Sequence, residues 1–243
     1  MTNVETLFTP AEFSLLPQRD LSRTVCVVFD VLRATSTIIT ALAHGAAGVI
    51  PVSEISEALA VRERTPDVLL AGEREGLRIS DEFEFGNSPR EFTSERVHGK
   101  TIVTTTTNGT RALRSCAHAQ QVLVGSFLNL SATVKQLRTM TADSLLLVCG
   151  GTFERAAYED VLCAGAVADC FDLPRDDSTL LARNAYRGVA NDLLGALHEA
   201  ENGKRLRARL ELADDVPFCA TVDRFDIVAV MDSAGRITVA PSS

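Results

Sequence analysis

The sequence has no Trp and only two Tyr among its 243 residues. Base-stacking and sugar-stacking surfaces are built from such rings, so their scarcity speaks against a nucleic-acid or carbohydrate platform. No block of Lys and Arg occurs, and the formal net charge is -8. Nucleic acid therefore finds no electrostatic footprint and is not expected as a partner. Small anionic substrates are not excluded, because a local group of Arg can outweigh the net charge. No apolar run approaches the length of about 18 residues that a membrane span needs. No apolar stretch with a basic flank precedes the first predicted strand. The expectation is a soluble cytoplasmic protein with no membrane partner. None of the six Cys (26, 116, 149, 163, 170 and 219) forms a C-x-x-C pair. Most sit in apolar surroundings and read as buried free thiols of a reducing compartment.

What is present is a large apolar fraction, 46%, enough for a sizeable core. The chain is organised around residues 25–37, VCVVFDVLRATST. The first five have no charged or hydroxyl side chain and are mostly β-branched or aromatic, as in a strand buried on both faces of a parallel sheet. Asp30 ends it. Arg33, Thr35, Ser36 and Thr37 then lead into an apolar helix over 38–43. A buried strand that ends in an acid and opens a hydroxyl-rich helix marks a ligand position in an open α/β sheet. Helix-start amides and hydroxyls accept an anion, Arg33 can fork onto its oxygens, and Asp30 can hold a metal ion.

Further strands are predicted at 48–53, 68–71, 101–107, 121–124, 144–148, 225–231 and 237–240. Pro51 suggests an edge or the start of a turn. Helices are predicted at 54–64, 111–118, 130–140, 161–171, 179–199 and 204–210. Residues 8–16 suggest a short edge strand or flap. Strands alternating with helices predict a three-layer α/β/α fold with a largely parallel sheet. The segments 27–58 and 101–132 align without a gap as strand, polar loop, helix, strand, helix. This raises an internal duplication with halves of about 25–98 and 99–171, followed by C-terminal helices and strands over 172–243, all in a single domain.

Four strands end in polar loops, and a parallel sheet would bring those ends to one edge. The loop after residue 71 offers Glu73 as metal ligand or base and Arg74 as an anion clamp. Gly86, Asn87, Ser88 and Pro89 mark a tight turn within a long loop. Thr106, Asn108, Gly109 and Thr110 form a strand-to-helix anion loop. Cys149 ends the fourth strand, and its spacing to Arg155 fits C-x5-R by count. Glu159 and Asp160 open the next helix, where acids favour the helix dipole and also offer paired metal ligands. Together, Asp30, Glu73, Asp160, Arg33 and Arg74 suit a hard divalent cation with a phosphate. A non-catalytic binder of phosphorylated or sulfonated metabolites and an oligomeric scaffold using the slim Ala/Gly helix at 164–168 are the competing readings.

DVLRATST at 30–37, GER at 72–74, GNSP at 86–89, TTTNGT at 105–110, CGG at 149–151, EDVLCAG at 159–165 and VDRFDIV at 222–228 resemble the 2-phosphosulfolactate phosphatase family of coenzyme M biosynthesis. The resemblance covers roughly residues 25–171 and 222–228. It implies an α/β fold, a magnesium-dependent phosphatase acting on 2-phospho-3-sulfolactate to give 3-sulfolactate and phosphate, and a homodimer. Asp30, Arg33, Glu73, Arg74 and Cys149 are then the catalytic candidates. Asp30, Glu73, Glu159 and Asp160 are the candidates for Mg²⁺. Thr35, Ser36, Asn87, Ser88, Thr106, Asn108, Gly109 and Thr110 are those for substrate. One departure is Glu82-Phe83-Glu84, where the family pattern has Gly-Phe-Asp. The attacking group stays open between a water polarised by the metal, Asp30 as nucleophile, and the Cys149 thiolate.

Overall fold

The computed structural model describes residues 1–241 apart from Ser14 and Glu75; Glu75, part of the charged turn after Arg74, therefore lies outside the described residues. The strands are β1 (Asn3–Leu7), β2 (Thr24–Phe29), β3 (Gly48–Pro51), β4 (Leu69–Arg74), β5 (Leu77–Arg78), β6 (Thr101–Thr105), β7 (Gln121–Gly125), β8 (Ser144–Cys149), β9 (Ala229–Met231) and β10 (Ile237–Val239). The helices are α1 (Pro10–Phe13), α2 (Ala34–Ala43), α3 (Ile55–Arg64), α4 (Ser94–Val97), α5 (Gly109–Ser115), α6 (Leu130–Thr139), α7 (Tyr158–Asp169), α8 (Asp177–Val189), α9 (Leu193–Glu199), α10 (Glu201–Arg207) and α11 (Asp215–Cys219). The strands form one sheet in the order β1-β8-β2-β7-β9-β10-β3-β6-β4-β5.

The sheet holds two parallel sets, β1-β8-β2-β7 and β3-β6-β4, rather than one. The β9–β10 hairpin joins them through three antiparallel pairings. Three reversals leave the second set running opposite to the first, so a flat sheet would put the ends of β2 and β6 on opposite edges. Strand twist changes this. At roughly 20–25° per step, the five steps from β2 to β6 accumulate on the order of 100–125°. The segments that follow β2 and β6 do meet: a Cβ built on Gly109 would lie 2.8 Å from Asp30 Oδ2.

Alternation along β2 divides the core. Cys26 and Val28 join a cluster with Ile38, Ile39 and Leu42 of α2 and Ala112 and Leu113 of α5. Val25, Val27 and Phe29 face Val134 and Leu137 of α6 and Leu162 and Ala166 of α7. On the other half of the sheet, Leu70 and Val103 pack with Ala58 of α3. This is the expected three-layer α/β/α arrangement. Burial of a strand on both faces explains why β2 shows no alternation in its sequence.

Several expectations are corrected. β3 lies inside the sheet between β10 and β6, and Pro51 is accommodated because it ends the strand. β4 continues through Gly72, Glu73 and Arg74, and β5 turns back on it, so these residues lie on a strand and not on a loop. The helix expected over 179–199 is two helices, because Asp192 caps a new one by accepting from the Gly195 amide at 3.0 Å. The N-terminal edge strand is residues 3–7, while Phe13 and Leu16 sit on short helical turns. The closing strand is confined to residues 229–231. The slim face of α7 is used within the chain: a Cβ on Gly165 would meet the Ala182 carbonyl oxygen of α8 at 2.1 Å.

The strand order between β8 and β4 reads the same from either end when β2 is exchanged with β6, β3 with β7, β4 with β8 and β9 with β10. The duplication remains a proposal, tested by superposing the two segments.

Candidate active site

β2 delivers Asp30 to the start of α2, and the turn between them is held by its own side chains. The Ala34 amide donates to Asp30 Oδ1 at 3.1 Å, and the Asp30 amide donates to Thr35 Oγ1 at 3.0 Å. Ser36 Oγ donates to the Val31 carbonyl at 2.8 Å. Thr35 and Ser36, expected to bind substrate, are thus buried and bonded to the loop they belong to. The Leu32–Arg33 peptide is cis. Arg33 forms a buried ion pair with Asp215, Nη1 to Oδ2 at 2.7 Å, and its Nη2 donates to the Gly76 carbonyl at 2.9 Å.

The second wall comes from β4 and the loop after β6. Glu73 Oε1 accepts from the Thr107 amide and hydroxyl, both at 3.0 Å, and Oε2 accepts from the Gly76 amide at 2.7 Å. Arg74 donates to the Glu73 carbonyl at 2.8 Å and to Thr105 Oγ1 at 3.1 Å. Thr106 and Thr110 bond to each other's backbone, capping α5 from within. Gly109 is required by proximity: besides Asp30, a side chain there would strike the Ala34 Cβ at 2.6 Å. Thr37 Oγ1 donates to the Asn87 carbonyl at 2.9 Å and fixes the GNSP turn, while Ser88 Oγ donates to Asp215 Oδ1 at 2.6 Å.

These elements enclose a cavity of about 260 Å³. Asp30, Arg33, Glu73, Arg74, Asn87 and Asn108 line it, all of them expected from the sequence. Its lining omits the other candidates. Thr35, Ser36, Ser88, Thr106 and Thr110 serve protein partners, as above. Asp160 lies outside the lining, and its Oδ1 accepts from the Val31 amide at 2.8 Å and its Oδ2 from the Gly151 amide at 3.0 Å. It therefore ties the Asp30 loop to the CGG loop. Glu159 Oε1 accepts from Asn202 Nδ2 at 2.6 Å, and its buried Oε2 has no partner among the described residues. Cys149 is fully buried beside Asp160, and desolvation pushes its thiol well above the ordinary range. It lies outside the cavity lining, in surroundings that disfavour a thiolate.

Burial pushes the Asp30 carboxyl up to about 7; Glu73 and Glu159 add to this, while the Ala34 N–H and Arg33 oppose it. Asp160 and Glu159 are raised for the same first reason, burial. Among the described residues, no group of three or more His, Cys, Asp or Glu side chains is placed to hold a metal ion. Of the four carboxylates named as candidates for Mg²⁺, Glu159 and Asp160 lie outside the cavity lining. Two carboxylates, Asp30 and Glu73, do reach the cavity. That donor set fits a hard cation such as Mg²⁺, which takes one or two carboxylates and completes its shell with water and substrate phosphate.

Sequence reasoning expected the CGG loop at the site but missed the rest of the third wall. Phe153, Asn202, Arg205 and Leu206 line the cavity together with Gly151 and Thr152. Asn202 Nδ2 also donates to Thr152 Oγ1 at 2.6 Å, which joins α10 to the CGG loop. Arg205 lies in the helix predicted at 204–210, and nothing in its spacing separates it from Lys204 and Arg207. Asp215 gave no signal either, because it lies outside every recognised motif.

The model of the 2-phosphosulpholactate phosphatase family matches residues 11–234. A protein of Caldanaerobacter subterraneus subsp. tengcongensis, named a probable 2-phosphosulfolactate phosphatase, is 40% identical over 228 residues, covering 91% of this chain and 93% of its own. One of Thermotoga petrophila with the same name is 45% identical over 208 residues, covering 84% of this chain and 88% of its own. One from Clostridium acetobutylicum, again so named, is 36% identical over 219 residues, covering 88% and 92%. With a match that takes in all three walls of the cavity, the chain belongs to the 2-phosphosulpholactate phosphatase family.

Proposed function

We propose that this protein hydrolyses 2-phospho-3-sulfolactate to 3-sulfolactate and phosphate with the help of Mg²⁺. The observation that carries the reading is the cavity lined by Asp30 and Glu73 together with Arg33, Arg74 and Arg205. The substrate bears phosphate, sulfonate and carboxylate groups, and three guanidiniums in one small cavity suit such a charge density. The family membership and the names of the relatives support the same chemistry.

In this reading Arg33, Arg74 and Asn108 hold the phosphoryl oxygens, and Arg205 with Asn202 receives the other anionic end. Asp30 and Glu73 would hold Mg²⁺, which as a Lewis acid offsets charge on the phosphoryl oxygens. Asp30 accepts the proton of the attacking water. The phosphorus–oxygen bond to the 2-position breaks, the leaving alkoxide takes a proton from a water molecule, and the hydroxide so formed takes the proton back from Asp30, so the products are phosphate and the free hydroxyl of sulfolactate and the carboxylate is restored. The same reading expects a cytoplasmic homodimer, and light scattering tests the assembly.

The test is phosphate release from 2-phospho-3-sulfolactate by the purified chain, with Mg²⁺ and then with EDTA. Release that stops on chelation supports the reading. Release from other phosphomonoesters alone would reject the substrate. Binding of the compound without release would favour a metabolite-binding protein.

A further inference from the structure

Arg33 is 3% exposed at its side chain, and its partner Asp215 is 0% exposed. Asp215 stands at the start of α11, far from Arg33 in sequence. Its carboxylate takes three donors: Arg33 Nη1 at 2.7 Å on Oδ2, and Ser88 Oγ at 2.6 Å and Arg90 Nε at 2.8 Å on Oδ1. Arg33 gives one N–H to Asp215 and one to Gly76, and it also lines the cavity. A guanidinium held by one face in a fixed plane presents its other face with little loss of freedom when an anion arrives.

We propose that Asp215 is a positioning residue: it fixes the Arg33 guanidinium in the cavity and locks the GNSP turn, through Ser88 and Arg90, to the same point. This rests on the reading that the cavity takes a phosphorylated substrate. Asp215 does not line the cavity and acts only through Arg33 and the turn. It also supplies the counter-charge that a cation this deeply buried needs before substrate binds.

The test is a double-substitution cycle in the full chain, with Asp215→Asn, Arg33→Lys and the pair. Each is first checked for a cooperative thermal melt. Two quantities are read: the Kd of inorganic phosphate by calorimetry, and KM and kcat for phosphate release from 2-phospho-3-sulfolactate. The expected result is a rise of about tenfold in Kd and KM for Asp215→Asn with kcat changed less, and a pair no weaker than Arg33→Lys alone. A Kd and KM within about twofold of the unaltered protein, or losses that multiply in the pair, would overturn the proposal. If Asp215→Asn does not fold, Asp215→Glu keeps the charge and displaces it by one methylene; a raised KM supports positioning, and an unchanged KM overturns it. If the unaltered protein binds phosphate but releases none, the phosphatase reading fails and the Kd cycle still decides the role of Asp215. Neither binding nor release in the unaltered protein would overturn both.

Discussion

Asp30 sits where two demands conflict. Burial penalises its charge, yet a catalytic carboxylate must be ionised. Its carboxyl is raised to about 7, well above the ordinary value of 3.8. Between those two values the folded chain holds a proton that the unfolded chain has released, so this group lowers stability as pH rises through that window. The penalty is complete above about pH 7 and amounts to at most about 4 kcal/mol. In EDTA at pH 8, Asp30→Asn is therefore expected to melt several degrees higher than the unaltered protein, with the difference gone by pH 4. A lower melting temperature at pH 8 would contradict the burial argument. Glu73 accepts from three donors. Glu73→Gln places an amide against the Gly76 or Thr107 N–H and should cost about 1–3 kcal/mol, read as a lowered denaturation midpoint. Legibility at this scale was uneven. Asp30 and Arg33 announced themselves by following an apolar strand. Thr35, Ser36, Thr106 and Thr110 shared the same composition, but their hydroxyls close local turns, and sequence alone does not separate a hydroxyl bonded to its own loop from one offered to a ligand.

Elements were legible where periodicity was strong. β2, β6, β7 and β8 read as apolar β-branched runs and α7 as an apolar helix with an acidic first turn. The break between α8 and α9 was not legible, because Asp192 acts as a cap while the apolar spacing continues through it. The continuation of β4 through Glu73 and Arg74 was hidden because charged residues at a strand end resemble a turn. The contact of α7 with α8 depends on Gly165, whose missing side chain admits the Ala182 carbonyl. Gly165→Ala must push these helices apart and is expected to cost about 1–3 kcal/mol, or roughly 2–10 °C in Tm, despite the better helix propensity of Ala. An unchanged or raised Tm would show that the two helices adjust freely.

At the scale of the whole molecule, the fold class followed from alternating strands and helices, but the reversal at β9–β10 did not. Those strands have three residues each and carry too short a pattern to reveal their direction. The convergence of the loops holds although the two parallel sets run in opposite directions, since Asp30 after β2 and Gly109 after β6 meet in the folded chain. The arrangement places β2 and β8 at the centre of the first set, buried on both sides, and β5 at an edge with both residues exposed. Amide hydrogen exchange should therefore be slowest in β2 and β8 and fast in β5. Comparable rates would mean that the sheet opens from its middle. The part of the third wall that comes from α10 could be seen only once the chain was folded, since Asn202 and Thr152 are brought together across 50 residues.

The central claim is that Asp30 in this cavity takes part in metal-assisted release of phosphate. The most direct measurement is phosphate release from 2-phospho-3-sulfolactate with Mg²⁺ by the unaltered chain and by Asp30→Asn, with inorganic phosphate binding measured on both. The account predicts a fall in kcat of roughly 10²–10⁴-fold in the variant, while it still folds and binds phosphate. Release by Asp30→Asn at a rate close to that of the unaltered chain would contradict it.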